Sequence, residues 1–180
     1  MKQSETRNLT MMMDLYEMTM ANGYFNDQDK DTRVAFDVFY RSNPDGGGFA
    51  IFAGLEQILE YIENLHFDEE DIAYFRSLNI FTEDFLAYLK DFKFSGDIYA
   101  FKEGTIMYPN EPIITVVAPL IDAQLIETAL LAQVNHQSLI ASDGGQHQRR
   151  EVPHRVEDEH LPHRAAHAEQ HRVLVVTRAG

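Results

Sequence analysis

The chain changes character at Ser142, and this change limits how much of it can join one fold. Residues 143–180 contain six of the eight histidines and no Phe, Tyr, Ile, Met, Lys, Asn or Ser, although residues 1–142 are rich in these other types. With almost no large apolar side chains before Val173, the second part cannot bury enough surface to offset the entropy lost on folding. We therefore predict a folded region followed by a disordered tail.

The folded region is strongly acidic. The net charge of −14 arises within residues 1–142, because six acidic and six basic residues balance in the tail. Such a charge argues against a nucleic-acid-binding surface. The absence of cysteine excludes disulfides and thiolate zinc sites. No stretch approaches the roughly 20 apolar residues that span a bilayer, and no secretory signal pattern begins the sequence, so we expect a cytoplasmic protein.

The hydrophobic pattern predicts both helices and strands. Residues 49–53 fit either a short buried strand or the approach to the next helix. The segment 104–111 is predicted to connect two strands. Helices are predicted over residues 9–25, 55–65 and 119–141, with two more capped by Asp68 and Thr82, and strands over residues 34–40, 97–102 and 112–118.

No complete catalytic constellation is present in residues 1–142. Asp14 and Tyr16 lie on an otherwise apolar helix, where a tyrosine is usually a core residue with its hydroxyl satisfied. The glycines at 46–48 are most simply a turn. His136 beside Asn135 fits either a capped or buried polar cluster or a functional role. We therefore assign no catalytic residue from the pattern alone.

The histidines of the tail resemble a metal site only superficially. His163 and His167 have the spacing that places two ligands on one helical face. Pro153, Pro162 and many arginines interrupt any apolar face around them, so coincidence is the simpler interpretation and no metal ligand is predicted. The composition of the tail is typical of GC-rich coding DNA read out of frame, which leads us to the hypothesis of a frameshift.

Segments of residues 8–142, in order, resemble the nicotinate phosphoribosyltransferase family. The most specific is Gly47–Glu56 (GGFAIFAGLE). The opening segment Asn8–Phe25 contains Asp14-Leu-Tyr16. The remaining matching segments are Phe36–Arg41, Phe94–Ala100, Glu103–Thr105, Ala118–Leu131 and Asn135–Ser142.

This resemblance implies an α/β fold, namely the N-terminal α/β sandwich domain of a type II phosphoribosyltransferase. We expect that domain at residues 1–118 and, at 119–142, the helix that leads into an irregular α/β barrel. Most of the barrel would be missing. Residues 143–180 match no motif of the family, so we expect a frameshifted or misjoined tail on a truncated chain.

The resemblance also implies an activity. The family joins nicotinate to phosphoribosyl pyrophosphate, forming nicotinate mononucleotide in NAD salvage, with ATP hydrolysis through a phosphorylated histidine and with Mg²⁺. Subunits form a head-to-tail homodimer, so Tyr16 would lie against the pyridine ring of nicotinate in the partner's barrel, with Asp14 as a nearby polar contact. An aromatic face on a rigid helix suits a flat ring.

The chain alone is expected to be inactive and to bind neither Mg²⁺ nor ATP strongly, because residues 1–142 offer no basic cluster for the leaving pyrophosphate. Two alternatives stay open. One is a related phosphoribosyltransferase that uses nicotinamide or another base. The other is a non-catalytic module that pairs with intact subunits.

Overall fold

A computed structural model describes residues 9–27, 31–43, 48–150 and 172–175 of the chain. The helices are α1 (Leu15–Asn26), α2 (Leu55–Glu63), α3 (Glu69–Ser77), α4 (Glu83–Lys90), α5 (Leu120–Leu125) and α6 (Glu127–Arg150). The strands are β1 (Arg33–Val38), β2 (Ala50–Ile51), β3 (Asp97–Phe101), β4 (Ile106–Met107), β5 (Ile114–Pro119) and β6 (Arg172–Val175). The predicted mixture of helices and strands is therefore confirmed.

The main sheet is antiparallel and has the strand order β1-β5-β3-β6. Along β5, Ile114, Val116 and Ala118 are buried and alternate with half-buried residues, as expected for a strand with one face on the core. The strands β2 and β4 form a separate two-stranded sheet, with Ala50 opposite Met107. Sequence reasoning missed β4, because a two-residue strand carries no periodic signal.

Two helix starts follow the sequence closely. The Asp68 carboxylate accepts hydrogen bonds from the backbone N–H groups of Glu70 and Asp71 at 2.8 and 2.9 Å. The Thr82 hydroxyl accepts one from the backbone N–H of Phe85 at 3.4 Å. Both predicted N-caps are confirmed, because a cap depends on residues that are neighbours in the chain.

The first helix begins later than predicted. Asp14 is the N-cap of α1, whereas residues 9–13 precede the helix. Thr10 lies near the predicted helix start and is of a residue type that often caps helices, but its buried hydroxyl donates to the backbone carbonyl of His66 at 2.7 Å. A side chain engaged with a distant loop does not cap the helix beside it.

The predicted helix over residues 119–141 is interrupted. Pro119 is the N-cap of α5 rather than a residue of its first turn, and Ile126 separates α5 from α6. Beyond the interruption, the carboxylate of Glu17 in α1 accepts a hydrogen bond from the backbone N–H of Thr128 at 2.7 Å. This contact satisfies a free N–H at the start of α6 and so favours a new helix start there.

Two segments of the predicted disordered tail have regular secondary structure. The helix α6 continues past Ser142 to Arg150, and β6 pairs with β3, placing Val175 opposite Ile98. The helix α6 can extend past Ser142, because each residue added to a helix gains one backbone hydrogen bond. The strand β6 can pair with β3, because the edge of β3 has backbone N–H and C=O groups available for pairing. Residues 151–171 and 176–180, including His163 and His167, lie outside the described residues.

An aromatic cluster fills the space between α1, α3 and α4. At its centre Phe85 is fully buried and lies 5.7 Å from Phe25 and 6.3 Å from Tyr88, measured between ring centroids. Edge-to-face and tilted contacts of this kind add to the energy of burial. The cluster also contains Phe67, Phe75, Phe81 and Phe92, and the exposed ring of Tyr74 contacts Phe75 at its edge.

Candidate functional site

A cavity of about 680 Å³ lies between the start of α1, the segment after β1 and the exposed face of α6. This volume suits a small molecule. Its lining combines aromatic rings with a few polar groups, which is the composition expected of a ligand site. The lining includes Asp14, Tyr16, Phe39, Tyr40, Arg41, Asn43, Met107, Thr128, Leu131, Asn135 and Ser138.

Both residues that the resemblance singled out line this cavity. Tyr16 is 45% exposed, so the interpretation of Tyr16 as a core residue is wrong. The buried face of α1 consists of Glu17, Met18 and Ala21, which turns Tyr16 outward. Asp14 sits at the N-cap position and is also exposed.

A polar contact fixes the start of α1 against the start of α6; we call Asp14, Glu17 and Thr128 the α1–α6 junction. The fully buried Glu17 carboxylate accepts hydrogen bonds from the backbone N–H and the hydroxyl of Thr128, both at 2.7 Å. Its other oxygen accepts the backbone N–H of Asp14 at 3.3 Å. Burial raises the pKa of Glu17, and the hydrogen bonds from Thr128 and Asp14 oppose that rise.

Asp14 belongs to the junction and also lines the cavity. The Thr128 hydroxyl lies 2.7 Å from Glu17 Oε1 and 3.4 Å from Asp14 Oδ2. A hydroxyl has one hydrogen to donate, and the shorter contact takes it. Tyr16 stays a neutral phenol at neutral pH, because burial, followed by the carboxylates of Glu127 and Glu17, raises its pKa.

The segment after β1 forms another wall of the cavity. The Tyr40 hydroxyl lies 2.8 Å from both Asn43 Oδ1 and the carbonyl oxygen of Met107, which ties this segment to β4. Burial raises the pKa of Tyr40 to about 12, so this group is also neutral. Among the described residues around the cavity, Arg41 carries the positive charge.

Two serines attach α6 to the segment that contains β2. Ser138 Oγ accepts a hydrogen bond from the backbone N–H of Ala53 at 3.0 Å, and Ser142 Oγ accepts one from Ile51 at 2.9 Å. Sequence reasoning missed Ser138, Glu17 and Thr128 as parts of a site. Glu17 did carry a signal, since it follows Asp14 by three residues, the spacing of a capping box.

The most specific family motif, Gly47–Glu56, ends in a structural turn. Gly54 has φ +106° and lies where a Cβ would approach the side chain of Gln137 in α6 to 3.1 Å, so glycine is required there. Glu103 Oε1 accepts the backbone N–H groups of Gly54 and Leu55 at the start of α2, at 2.9 and 2.6 Å. The glycines at 46 and 47 lie outside the described residues.

Two other sequence predictions concern polar clusters. His136 is exposed on α6, so a buried cluster around it is wrong, whereas its neighbour Asn135 lines the cavity. In the part of the chain that the structure describes, no three His, Asp or Glu side chains converge as a metal site. No helix there is long and apolar enough to cross a membrane.

Solved structures share this fold. The crystal structure of human nicotinic acid phosphoribosyltransferase superposes with a TM-score of 0.73 and 29% identity, covering 79% of this chain and 29% of that chain. The nicotinate-nucleotide pyrophosphorylase of Pyrococcus furiosus shares the fold at a TM-score of 0.50 and 19% identity, covering 74% of this chain and 28% of that chain. The predicted N-terminal α/β domain is confirmed by the first of these similarities.

Sequence comparisons agree with the fold. A nicotinate phosphoribosyltransferase of Bacillus subtilis is 44% identical over 135 residues, and one of Mycobacterium tuberculosis is 42% identical over 132 residues. These matches cover 75% and 73% of this chain but only 28% of each relative, so the chain spans just over a quarter of their length. Residues 11–135 match the family described as the nicotinate phosphoribosyltransferase N-terminal domain. The chain belongs to the nicotinate phosphoribosyltransferase family.

Proposed function

We propose that this chain is the N-terminal domain of a cytoplasmic enzyme that joins nicotinate to phosphoribosyl pyrophosphate for NAD salvage. The observation that carries the proposal is that Asp14 and Tyr16 line one cavity in a chain whose relatives are nicotinate phosphoribosyltransferases. In the reaction, the pyridine nitrogen forms a bond to the ribose C1 while the bond from C1 to pyrophosphate breaks. Nicotinate mononucleotide and pyrophosphate are released.

The described side chains suit the base rather than the phosphates. The exposed ring of Tyr16 offers a face for the pyridine ring, and Asp14 offers a carboxylate whose contact with Thr128 is long, at 3.4 Å. Arg41 complements the carboxylate of nicotinate. One arginine does not balance a leaving pyrophosphate. We therefore propose that the phosphate-binding cations, Mg²⁺, ATP and the phosphorylated histidine belong to the barrel of the longer enzyme.

The surface beside the cavity fits a head-to-tail homodimer with a barrel domain. On α6, Leu131, Leu139 and Ile140 are 44, 49 and 56% exposed, and the first two line the cavity together with Tyr16. Large apolar side chains grouped beside a cavity are typical of an interaction surface. In the proposed dimer, the partner's barrel covers Tyr16 and completes the nicotinate site.

We also propose that the residues after Ser142 result from a change of reading frame, as their composition indicates. Sequencing the DNA beyond codon 142 tests this directly. We expect one of the other two reading frames to encode a continuation. That continuation should be similar to the part of each relative that follows the segment matched by this chain. If neither other frame encodes such a continuation, the frameshift hypothesis is wrong.

A chimera tests the proposed activity. Residues 1–142 of this chain are joined to the remaining part of the Bacillus subtilis enzyme, and the intact Bacillus subtilis enzyme serves as control. We expect the chimera to form nicotinate mononucleotide from nicotinate, phosphoribosyl pyrophosphate and ATP, and the 180-residue chain alone to form none. A folded chimera without activity contradicts the proposal.

The same assay separates the two alternatives. A chimera that prefers nicotinamide over nicotinate supports the related phosphoribosyltransferase. A 180-residue chain that raises the activity of intact enzyme by forming mixed dimers supports the non-catalytic module.

A further inference from the structure

We propose that Glu17 is a positioning residue that holds Asp14 and Tyr16 at the mouth of the cavity by tying the start of α1 to the start of α6. This inference rests on the proposed function, because it concerns how the proposed nicotinate contacts are placed. Glu17 is fully buried and does not line the cavity. It therefore acts through its neighbours.

The geometry fixes Tyr16 from both sides. Oε1 of Glu17 accepts the backbone N–H and the hydroxyl of Thr128, and Oε2 accepts the backbone N–H of Asp14. Asp14 precedes Tyr16 by two residues and Glu17 follows it directly. Glu17 therefore ties the first turn of α1 to α6 through Thr128 and closes that turn on Asp14, so the backbone is held on both sides of Tyr16.

Stability alone gives a poor account of a glutamate at this position. The ion pairs among the described residues are Arg33–Asp97, Arg76–Glu83 and Lys90–Glu69, and none of them includes Glu17. A buried carboxylate without a cation carries a desolvation cost that an apolar side chain of similar size avoids. What glutamate adds here is a set of directed hydrogen bonds.

The same contact controls the Asp14 carboxylate. Because the Thr128 hydroxyl lies 2.7 Å from Glu17 Oε1, its contact with Asp14 Oδ2 is the longer one, at 3.4 Å. Without an acceptor at position 17, that hydroxyl would turn to Asp14 and occupy it. Loss of the Glu17 carboxylate should therefore have two effects. The Tyr16 ring should become more mobile, and the Asp14 carboxylate should be occupied by the Thr128 hydroxyl.

Nuclear magnetic resonance on the full 180-residue chain tests the proposal. Glu17→Met keeps the volume and removes both acceptors, whereas Glu17→Gln keeps one acceptor oxygen. Glu63→Gln is the matched control, because Glu63 is exposed at the end of α2 and away from the cavity. The measurements are the cross-peaks between the Tyr16 ring and the Thr128 methyl group, the exchange rate of the Thr128 amide, and a titration with nicotinate.

We expect Glu17→Met to lose the cross-peaks and to exchange the Thr128 amide at least about tenfold faster, with nicotinate bound at least about tenfold more weakly. Glu17→Gln should recover part of each effect, and the Glu63→Gln control should match the wild-type chain. A purely structural role would lower the melting temperature but leave the cross-peaks of the folded protein unchanged. Unchanged cross-peaks in folded Glu17→Met overturn the proposal.

Two further outcomes are decisive. If Glu17→Met does not fold, Thr128→Val takes its place, since it keeps the shape and removes the hydroxyl donor. Weakened Tyr16 cross-peaks in Thr128→Val support the proposal, and unchanged ones overturn it. If the wild-type chain shows no response to nicotinate, nicotinate binding needs the barrel of the longer enzyme, as the proposed dimer implies, and the cross-peaks alone decide the role of Glu17.

Discussion

The aromatic cluster and the α1–α6 junction hold opposite ends of the same helix by different means. Near the end of α1, Phe25 packs on Phe85 and Tyr88 at centroid distances of 5.7 and 5.2 Å. At its start, Glu17 makes three hydrogen bonds to two residues. Packing is non-directional and sets how firmly the helix is bound, whereas hydrogen bonds are directional and set where its side chains point. Stability and placement of the candidate site therefore depend on different residues.

The largest effect on stability is expected in the aromatic cluster. Phe85→Ala should lower the free energy of unfolding by about 3–5 kcal/mol, because it removes a fully buried ring and leaves a cavity. Urea unfolding measures this loss. Tyr74→Ala is the control, since Tyr74 is 53% exposed and should lose far less. If Phe85→Ala lowers the free energy of unfolding by less than about 1 kcal/mol, the aromatic cluster does not stabilise this end of α1.

A smaller effect is expected at the junction and depends on pH. Burial raises the pKa of Glu17 above its value in the unfolded chain, which is about 4.3. The folded state therefore binds this proton more tightly, so its stabilising contribution is complete below the unfolded pKa and is lost as pH rises through the folded pKa. Glu17→Gln removes this dependence.

Urea unfolding between pH 4 and pH 7 measures the difference. The wild-type chain should lose more stability across this range than Glu17→Gln. Asp122, whose pKa is also raised by burial, is present in both proteins and cancels in the comparison. Parallel curves for the two proteins would mean that Glu17 does not titrate differently in the folded state.

The same contrast explains which parts of the fold could be predicted from the sequence. The starts of α3 and α4 were predictable, because Asp68 and Thr82 bind backbone groups within three residues. The start of α1 was not, because Thr10 is engaged by His66, 56 positions away. The break at Ile126 is followed by a contact between Glu17 and Thr128, 111 positions apart. Local rules cannot describe such contacts.

The candidate site was predictable only in part for a related reason. Asp14 and Tyr16 were found through the resemblance of the opening segment, while their periodic pattern alone favoured a core position for Tyr16. The pattern gave the wrong face of α1, because the buried face includes Glu17. A search for periodic apolar residues treats a glutamate as exposed and so misplaces the buried face. The hydrogen bonds between Glu17 and Thr128 could not be predicted, because they depend on how α1 packs against α6.

The central claim is that the start of α1 presents Tyr16 to nicotinate, and kcat/KM for nicotinate in the chimera tests it most directly. Tyr16→Ala should lower this value about tenfold or somewhat more, because ring stacking contributes about 0.5–1.5 kcal/mol beyond burial and each 1.4 kcal/mol is one decade. Tyr16→Phe should lose less, since it keeps the ring face. Wild-type kcat/KM in Tyr16→Ala would contradict the account.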